Sequence, residues 1–412
     1  MIHYLDAMLP DKDPDGIIEL GKANRTKFGV DRLYLLGIVP DGLPETGKIA
    51  YATDPEERIP EPPVVEEPAS EPVPITRRCM IGCNIGAGGM SSYRLDYGTA
   101  YFYPTAAELQ LAWDNGIRLI RVPYRARRLM SDETTPGVFV VDPAVEKHLH
   151  PMMDAALDMG FTIIVEEHGY GASREARQKS PTTGNMFTPK LTVEKAAGLY
   201  ESFMAGFGRY LNHPRLIPSF VNEPHSLGSD WWPIGREFVR LHRAAGWTTP
   251  LTMSISGYQA FQDLDDKIDD AKALADSDPL GRTIIDVHQY FDDDTSGRYP
   301  SQVMKLGDTY SDADVAEWIA KRLQPSVDAA REAGLTLALT EFAFPNNAKG
   351  RFAMPLFFKW LDDNADVIRY ATWFIMSTFM PYDANGGGWY GLTQTTKTGA
   401  SPLLKQIAAL RK

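Results

Sequence analysis

Between residue 80 and the C-terminus, eight apolar runs carrying β-branched residues alternate with stretches of helical period. The runs are 80–86, Arg118–Val122, Phe161–Val165, Leu216–Val221, Leu251–Ile255, Thr283–Val287, Leu335–Thr340 and Tyr370–Ile375. The helices between them are legible at their ends. Thr105-Ala-Ala-Glu108 reads as a capping box, and Gly116 stops the same helix. Further helices are expected over Pro143–Met159, Leu191–Leu211, Ile234–Ala245, Phe261–Asp276, Asp312–Ala333, Met354–Asn364 and Pro402–Leu410, with Pro325 as a kink. Eight strand–helix units predict an α/β fold, a (β/α)8 TIM barrel over residues 77–412. The rival, a doubly wound open sheet, would want a phosphate loop after its first strand. Gly86-Ala87-Gly88-Gly89 lacks that glycine order and leads into Ser91-Ser92-Tyr93, so it reads only as a loop.

Residues 55–76 are rich in Pro and Glu. Proline fixes φ, and like charges repel, so an extended linker is expected there. Residues 1–54 are then a small separate module, short for an independent core. They hold no catalytic constellation and read as a docking or assembly module for a protein partner. No basic stretch or apolar core precedes Asp11, so no signal peptide is expected. With 42 basic and 54 acidic residues the net charge is −12, which argues against nucleic acid as a partner. No apolar run approaches the ~20 residues of a spanning helix, so no membrane partner is expected either. Cys79 and Cys83 share one strand, ~13 Å apart at ~3.3 Å per residue. A disulfide needs Cα atoms within roughly 7 Å, so both read as free thiols.

In a barrel of this kind the chemistry sits at the carboxyl ends of the strands. Arg121 on the second strand, His168 after the third and Asn222-Glu223-Pro224 after the fourth are expected there. So are His288 and Tyr290 on the sixth, Glu341 on the seventh and Trp373 on the eighth. Each alone has a bland reading as a core residue or an ion-pair partner. Together they fall on one face. Two glutamates with no Lys or Arg beside them in sequence are costly to bury for packing alone. Facing carboxylates suit glycoside hydrolysis, in which one protonates the leaving oxygen and the other attacks the anomeric carbon. Arg121 near Glu341 would hold a nucleophile ionised, Asn222 would reach the sugar 2-hydroxyl, and Trp373 would stack on a sugar face. Trp231, Trp232, Tyr258, Trp389 and Tyr390 are sugar platforms if exposed and barrel caps if buried. His168, Glu223, His288 and Glu341 would also suit a cation, but no His-x-His or His-Glu-x-x-His pattern accompanies them, and no metal is expected.

The ordered set Arg121, His168, Asn222-Glu223, His288-x-Tyr290, Glu341 and Trp373 resembles glycoside hydrolase family 5, the retaining cellulases, over roughly residues 77–412. The resemblance implies that Glu223 is the acid/base and Glu341 the nucleophile. It also implies a covalent glycosyl-enzyme, carboxyl groups ~5–5.5 Å apart, and no cofactor. The stretch Asp286–Gly297 looks like the branch containing fungal-type endo-β-1,4-glucanases. The implied partner is a β-linked polysaccharide, a β-1,4-glucan, with mannan or mixed-linkage glucan as same-family alternatives. Gly169 departs from the pattern, since many members carry Asn after the His. A leaderless hydrolase with a docking module and a Pro/Glu spacer would also suit a phage particle that clears its host's exopolysaccharide. A catalytically dead barrel is disfavoured by the presence of both glutamates.

Overall fold

The computed structural model describes residues 78–89, 95–132, 137–175, 177–183, 185–298, 302–376, 392 and 400–410. The expected module at 1–54, the linker at 55–76, Trp389 and Tyr390 lie outside the described residues.

Eight parallel strands close into a barrel. They are β1 (Met80–Ile85), β2 (Leu119–Tyr124), β3 (Thr162–Glu167), β4 (Leu216–Phe220), β5 (Leu251–Ser254), β6 (Thr283–Tyr290), β7 (Leu337–Ala343) and β8 (Ile368–Met376). β8 returns to pair with β1 through Met80↔Tyr370 and Cys83↔Trp373. The expected (β/α)8 barrel is the observed fold. No helix among the described residues is long and apolar enough to cross a membrane.

Helices fill the crossovers: α1 (Ala106–Asp114), α2 (His150–Met159), α3 (Val193–Phe207), α4 (Trp231–Ala244), α5 (Ile268–Asp276), α6 (Asp312–Arg322), α7 (Gln324–Glu332) and α8 (Ala348–Asp363), with α9 (Pro402–Leu410) after β8. The capping box on α1 is formed: Glu108 N donates to Thr105 Oγ1 at 3.2 Å, and Thr105 N donates to Glu108 Oε2 at 2.9 Å. α2 ends on Gly160 at φ 98°, a left-handed position that glycine takes without a Cβ penalty. Several boundaries differ from expectation: α2 is α-helical only from His150, with a π-turn over Val145–Leu149 before it, and α5 only from Ile268, behind 3-10 turns at Phe261–Asp263 and Asp265–Lys267. Pro325 sits in the first turn of α7, so it divides two helices instead of kinking one, because its missing N–H costs nothing at a helix start. α8 begins at Ala348, where Asn347 Oδ1 accepts from Gly350 N at 2.9 Å, and it carries Pro355 internally. α4 begins at Trp231, three residues before Ile234, which moves two tryptophans from a loop into a helix.

Side chains alternate across each strand, and here that period sets up two environments. The outward set, including Ile120, Val122, Ile163, Val165, Phe220, Met253, Val287 and Leu339, packs on Leu109, Met153, Leu199, Phe203, Phe207 and Phe238 from the helices. Phe220 stacks on Phe238 with ring centroids 4.9 Å apart. Each such side chain contributes about 1.5–3 kcal/mol by leaving water. The inward set is layered. Leu119, Ile164 and Ile217 form a separate apolar plug with Met80 and Tyr370. Two residues further along β2, β3 and β4 stand Arg121, Glu166 and Ser219, all fully buried. The barrel is therefore dry and apolar toward its amino end and ionic toward its carboxyl end.

Gly82 closes the plug. A Cβ there would lie 2.0 Å from the Leu119 carbonyl oxygen, which is backbone and cannot swing away. Gly82→Ala is therefore expected to cost about 1–3 kcal/mol, the usual penalty of overpacking. It should lower the urea midpoint at unchanged m-value, and an unchanged midpoint would contradict the packing.

Candidate active site

Arg121 points inward from the middle of β2 and is fully buried. Its Nη1 donates to Asn84 Oδ1 and to Glu341 Oε1, both at 2.7 Å. Its Nη2 donates to Asn222 Oδ1 at 2.6 Å and lies 3.2 Å from Glu166 Oε2. One planar guanidinium thus gathers groups from β1, β3, β7 and the segment after β4, which a point charge on a lysine could not do.

Glu341 is held from both sides. Arg121 takes Oε1, and the Tyr290 hydroxyl donates to Oε2 at 2.8 Å. Burial alone would raise its pKa. The positive charge of Arg121, its hydrogen bond and the electrostatic pull of His288 outweigh burial and lower it to about 2. Relative to an ordinary carboxylate this group is depressed, so its stabilisation is complete above the usual carboxylate range. It is lost only as pH falls toward that value.

Glu223 reaches the same point from the loop after β4. Its side chain is 18% exposed against 5% for Glu341, so it faces the mouth of the site. His288 lies between the two, with Nδ1 2.9 Å from Glu223 Oε1 and 3.8 Å from Glu341 Oε2. His288 Nε2 faces Thr340 Oγ1 at 3.2 Å, and that hydroxyl in turn donates to Asp286. Both ring nitrogens therefore meet acceptors. Burial lowers the His288 pKa, but Glu341, Glu223 and Asp286 together raise it above its ordinary value. A ring held toward its charged form between the two acids eases their close approach. One carboxylate oxygen of each and a His288 ring nitrogen lie within 4.8 Å of one another.

The backbone here is bent to purpose. Val221 has φ 63°, Glu223 φ 41° and Gln259 φ 54°, all in the left-handed region that non-glycine residues rarely occupy. For β-branched Val221 the conformation is costly, on the order of 1–3 kcal/mol. Three contacts hold it: Asn222 N donates to Glu167 O at 2.7 Å, Ser254 Oγ donates to Val221 O, and Glu223 N donates to Gln259 Oε1. Asn222 Nδ2 is left buried with no partner among the described residues.

His168 follows β3. Its Nδ1 is 2.9 Å from Glu166 Oε2, and its Nε2 is 3.0 Å from the Tyr170 hydroxyl. Gly169 has a local cause. A Cβ there would lie 2.6 Å from both Glu167 carboxylate oxygens. Gly169 N donates to Glu167 Oε2 at 2.9 Å, so a side chain at this position would dislodge a buried acid.

Arg121, His168, Asn222, Glu223, His288, Tyr290 and Glu341 thus meet at one site. The aromatic expectations fare differently. Trp373 is fully buried on the outer face of β8, edge-on to Phe342 at 5.4 Å, and does not face the cleft. It is one residue out of phase with inward Thr372, and a one-residue step on a strand changes face. Half-buried Phe374 is the aromatic that faces inward there, 6.2 Å edge-on from Tyr290. Trp231 and Trp232 are corrected as sugar platforms: both are buried in the first turn of α4, and Trp231 Nε1 donates to Ser254 O at 2.6 Å. They cap the barrel. Tyr258 is 63% exposed and stacks on His225 with centroids 4.5 Å apart. Trp389 and Tyr390 lie outside the described residues.

Sequence reasoning passed over Asn84, Glu166, Gln259 and Thr340. Asn84 carried a signal, a lone amide within the apolar run Met80–Ile85. Gln259 belongs to no strand or helix and carried none.

The triad Glu223, His288 and Glu341 also has the donor set for a cation. However, Glu341 is already paired with Arg121, and His288 is held toward its charged form, so the site supplies its own positive charge. What the arrangement can do is acid/base and nucleophilic chemistry by two differently held carboxyls.

Without Arg121 the nucleophile should lose its low pKa. In Arg121→Gln the acid limb of the kcat/KM profile is expected about 1–3 pH units higher than in the wild type. A variant with native circular dichroism and an unmoved acid limb would contradict the assignment.

The family model for cellulase (glycosyl hydrolase family 5) matches residues 81–377. Among curated proteins, a probable endo-beta-1,4-glucanase B of Aspergillus oryzae is 22% identical over 67% of this chain and 74% of its own length. Endo-beta-1,4-glucanase A of Emericella nidulans is 23% identical over 69% of this chain and 78% of its own. Among solved structures, an endo-beta-1,4-glucanase of Xanthomonas axonopodis pv. citri superposes with TM-score 0.66 at 18% identity, covering 81% of this chain and 98% of that one. Endoglucanase Cel5A of Pseudomonas stutzeri does so with TM-score 0.62 at 21% identity, covering 81% and 92%. With the barrel, the facing glutamates and a family match over most of the barrel, the chain belongs to glycosyl hydrolase family 5 and is a glycoside hydrolase of the endo-β-1,4-glucanase type.

Proposed function

We propose that this enzyme cleaves internal β-1,4 linkages of a glucan with retention of anomeric configuration. The observation that carries the reading is the pair Glu223 and Glu341, with oxygens within 4.8 Å of one another. That separation leaves no room for a water between the carboxyl and the sugar, as inversion requires, and suits direct attack. Retention is general to the family, and the curated relatives named above are endo-β-1,4-glucanases.

In the first step Glu341 attacks the anomeric carbon. The glycosidic C–O bond breaks, an ester bond to Glu341 forms, and the Glu223 proton goes to the departing oxygen. In the second step Glu223, now ionised, takes a proton from water as its oxygen displaces Glu341. Arg121 and the Tyr290 hydroxyl keep Glu341 ionised and oriented. The free donor Asn222 Nδ2 is placed for the 2-hydroxyl of the reacting sugar, where a hydrogen bond strengthens at the transition state. Phe374 offers the apolar face beside it, and the Tyr258–His225 stack offers an exposed face next to Glu223, whose carbonyl oxygen faces His225 Nδ1 at 2.9 Å. That residues 1–54 tether the enzyme to a phage particle is a reading that rests on the small size of that segment and on its Pro/Glu spacer. It calls for the chain in purified virions, by mass spectrometry.

Carboxymethylcellulose, mannan and mixed-linkage glucan, with NMR of the first-formed anomer, decide the substrate. A β product from β-1,4-glucan is expected, and an α product would sink the retaining mechanism. Glu341→Gln should lower kcat at least about 10³-fold while binding persists. Tyr258→Ala should raise KM on soluble oligosaccharides with little change in kcat, the signature of a contact made equally in ground and transition states. A fall in kcat alone would assign Tyr258 another role.

A further inference from the structure

At the level of the site β7 slips by one residue against β6. Val287 pairs with Leu339, but His288 pairs with Glu341, so Thr340 is skipped in that ladder. Leu339 and Phe342 on either side pack outward in the core. The irregularity turns both Thr340 and Glu341, neighbours in sequence, toward the barrel interior, as bulges re-aim side chains near active sites. Thr340 is fully buried. Its carbonyl oxygen accepts from Asn84 Nδ2 at 2.8 Å and from Thr372 Oγ1, which pins it to β1 and β8.

The Thr340 hydroxyl lies 2.7 and 2.8 Å from the two Asp286 carboxyl oxygens and 3.2 Å from His288 Nε2. A hydroxyl has one hydrogen to donate. Spent on a carboxylate, it leaves only lone pairs for the ring, so Nε2 must bring its own hydrogen. The other ring nitrogen, Nδ1, faces Glu223 Oε1 at 2.9 Å, again a carboxyl oxygen. Hydrolysis as derived above gives neither Asp286 nor Thr340 a task. The acids around the ring are Glu341 on β7, Glu223 beyond β4 and Asp286 two residues earlier on β6, and together they outweigh the burial that opposes a charged His288. Burial also raises the Asp286 pKa, a rise that His288, Arg121 and the Thr340 hydrogen bond hold in check and Glu166 adds to.

We propose that Thr340 and Asp286 are positioning residues: they keep a hydrogen on His288 Nε2, so that the ring stays doubly protonated through the catalytic cycle and sets the pH range of the enzyme. In this arrangement Nδ1–H donates to Glu223 Oε1, which leaves Oε2 to carry the catalytic proton. When that proton passes to the departing oxygen, the carboxylate left on Glu223 forms against a cation already hydrogen-bonded to it. Water then returns a proton to Glu223 as the water oxygen bonds to the anomeric carbon and the ester bond to Glu341 breaks. His288 gains and loses no proton in either step.

The proposal rests on the hydrolase reading, and the test separates the two. Thr340→Val keeps the branched shape and removes the hydroxyl. A doubly protonated ring would then bury an N–H without an acceptor, so His288 should turn neutral with its one hydrogen on Nδ1. The basic limb of kcat/KM on a β-1,4-glucan, which marks loss of the catalytic proton, should then lie about 1–3 pH units higher than in the wild type, because the neighbouring cation is gone. Thr340→Ser should keep the wild-type limb. Asp286→Asn, whose amide can turn its NH2 toward the hydroxyl, should move the limb as Thr340→Val does, and it serves in place of Thr340→Val should that variant not fold. A basic limb that is unmoved or lower would overturn the proposal even where kcat falls, since a packing role costs rate without moving a limb. Nitrogen NMR of isotopically labelled histidine in the wild type reads the ring without substrate, with the His288 signal identified by its absence in His288→Gln. Both ring nitrogens should carry hydrogen across the active pH range, and a bare Nε2 or a bare Nδ1 there would overturn the proposal. Wild-type inactivity on every β-linked glucan would overturn the hydrolase reading instead, while the ring spectra still decide where the hydrogens lie.

Discussion

One guanidinium organises this active site. Arg121 carries the positive charge at the centre of the ionic layer, and Asn84, Asn222, Glu166 and Glu341 are arranged around its fork. A buried cation is expensive unless it is paired with buried anions and hydrogen-bonded to its surroundings, as both terminal nitrogens of Arg121 are. Here its partners are the machinery itself, so the cost of burying Arg121 is offset by the same contacts that orient the nucleophile and the amide beside the acid. Stability and catalysis cannot be tuned separately at this position.

The division of labour between the glutamates follows from where the chain places them. Glu341 stands within β7, inside the charged layer, where His288 and Arg121 overcome burial. Glu223 stands just beyond β4 on a left-handed backbone, where its carboxyl faces the mouth and can meet both a leaving group and a water. The strained turn is the device that brings a loop residue opposite a strand residue at sub-5 Å range.

Most of this was legible in the chain. The eight runs carrying β-branched residues became the eight strands with ends shifted by a few residues, because buried parallel strands must be apolar whatever their neighbours do. The polar site residues could be read because they interrupt or end those runs. What failed did so for stated reasons. Trp373 was misjudged because which face a strand residue takes depends on register, and β8 shows register shifts against its neighbour β7. Between platform and cap, Trp231 and Trp232 could not be decided in sequence because α4 begins a turn before its amphipathic pattern becomes clear. Gln259 was invisible because nothing local marks a loop amide that will receive a backbone N–H from 36 residues away.

The apolar plug of Leu119, Ile164 and Ile217 has a consequence for proton traffic. With the floor sealed by hydrocarbon, solvent cannot feed the catalytic carboxyls from below. Every proton spent on a departing sugar or recovered from an incoming water must enter and leave by the side on which the polymer lies. A bound chain is therefore both reactant and stopper, and the enzyme's rehydration between cycles is tied to the departure of at least one product half.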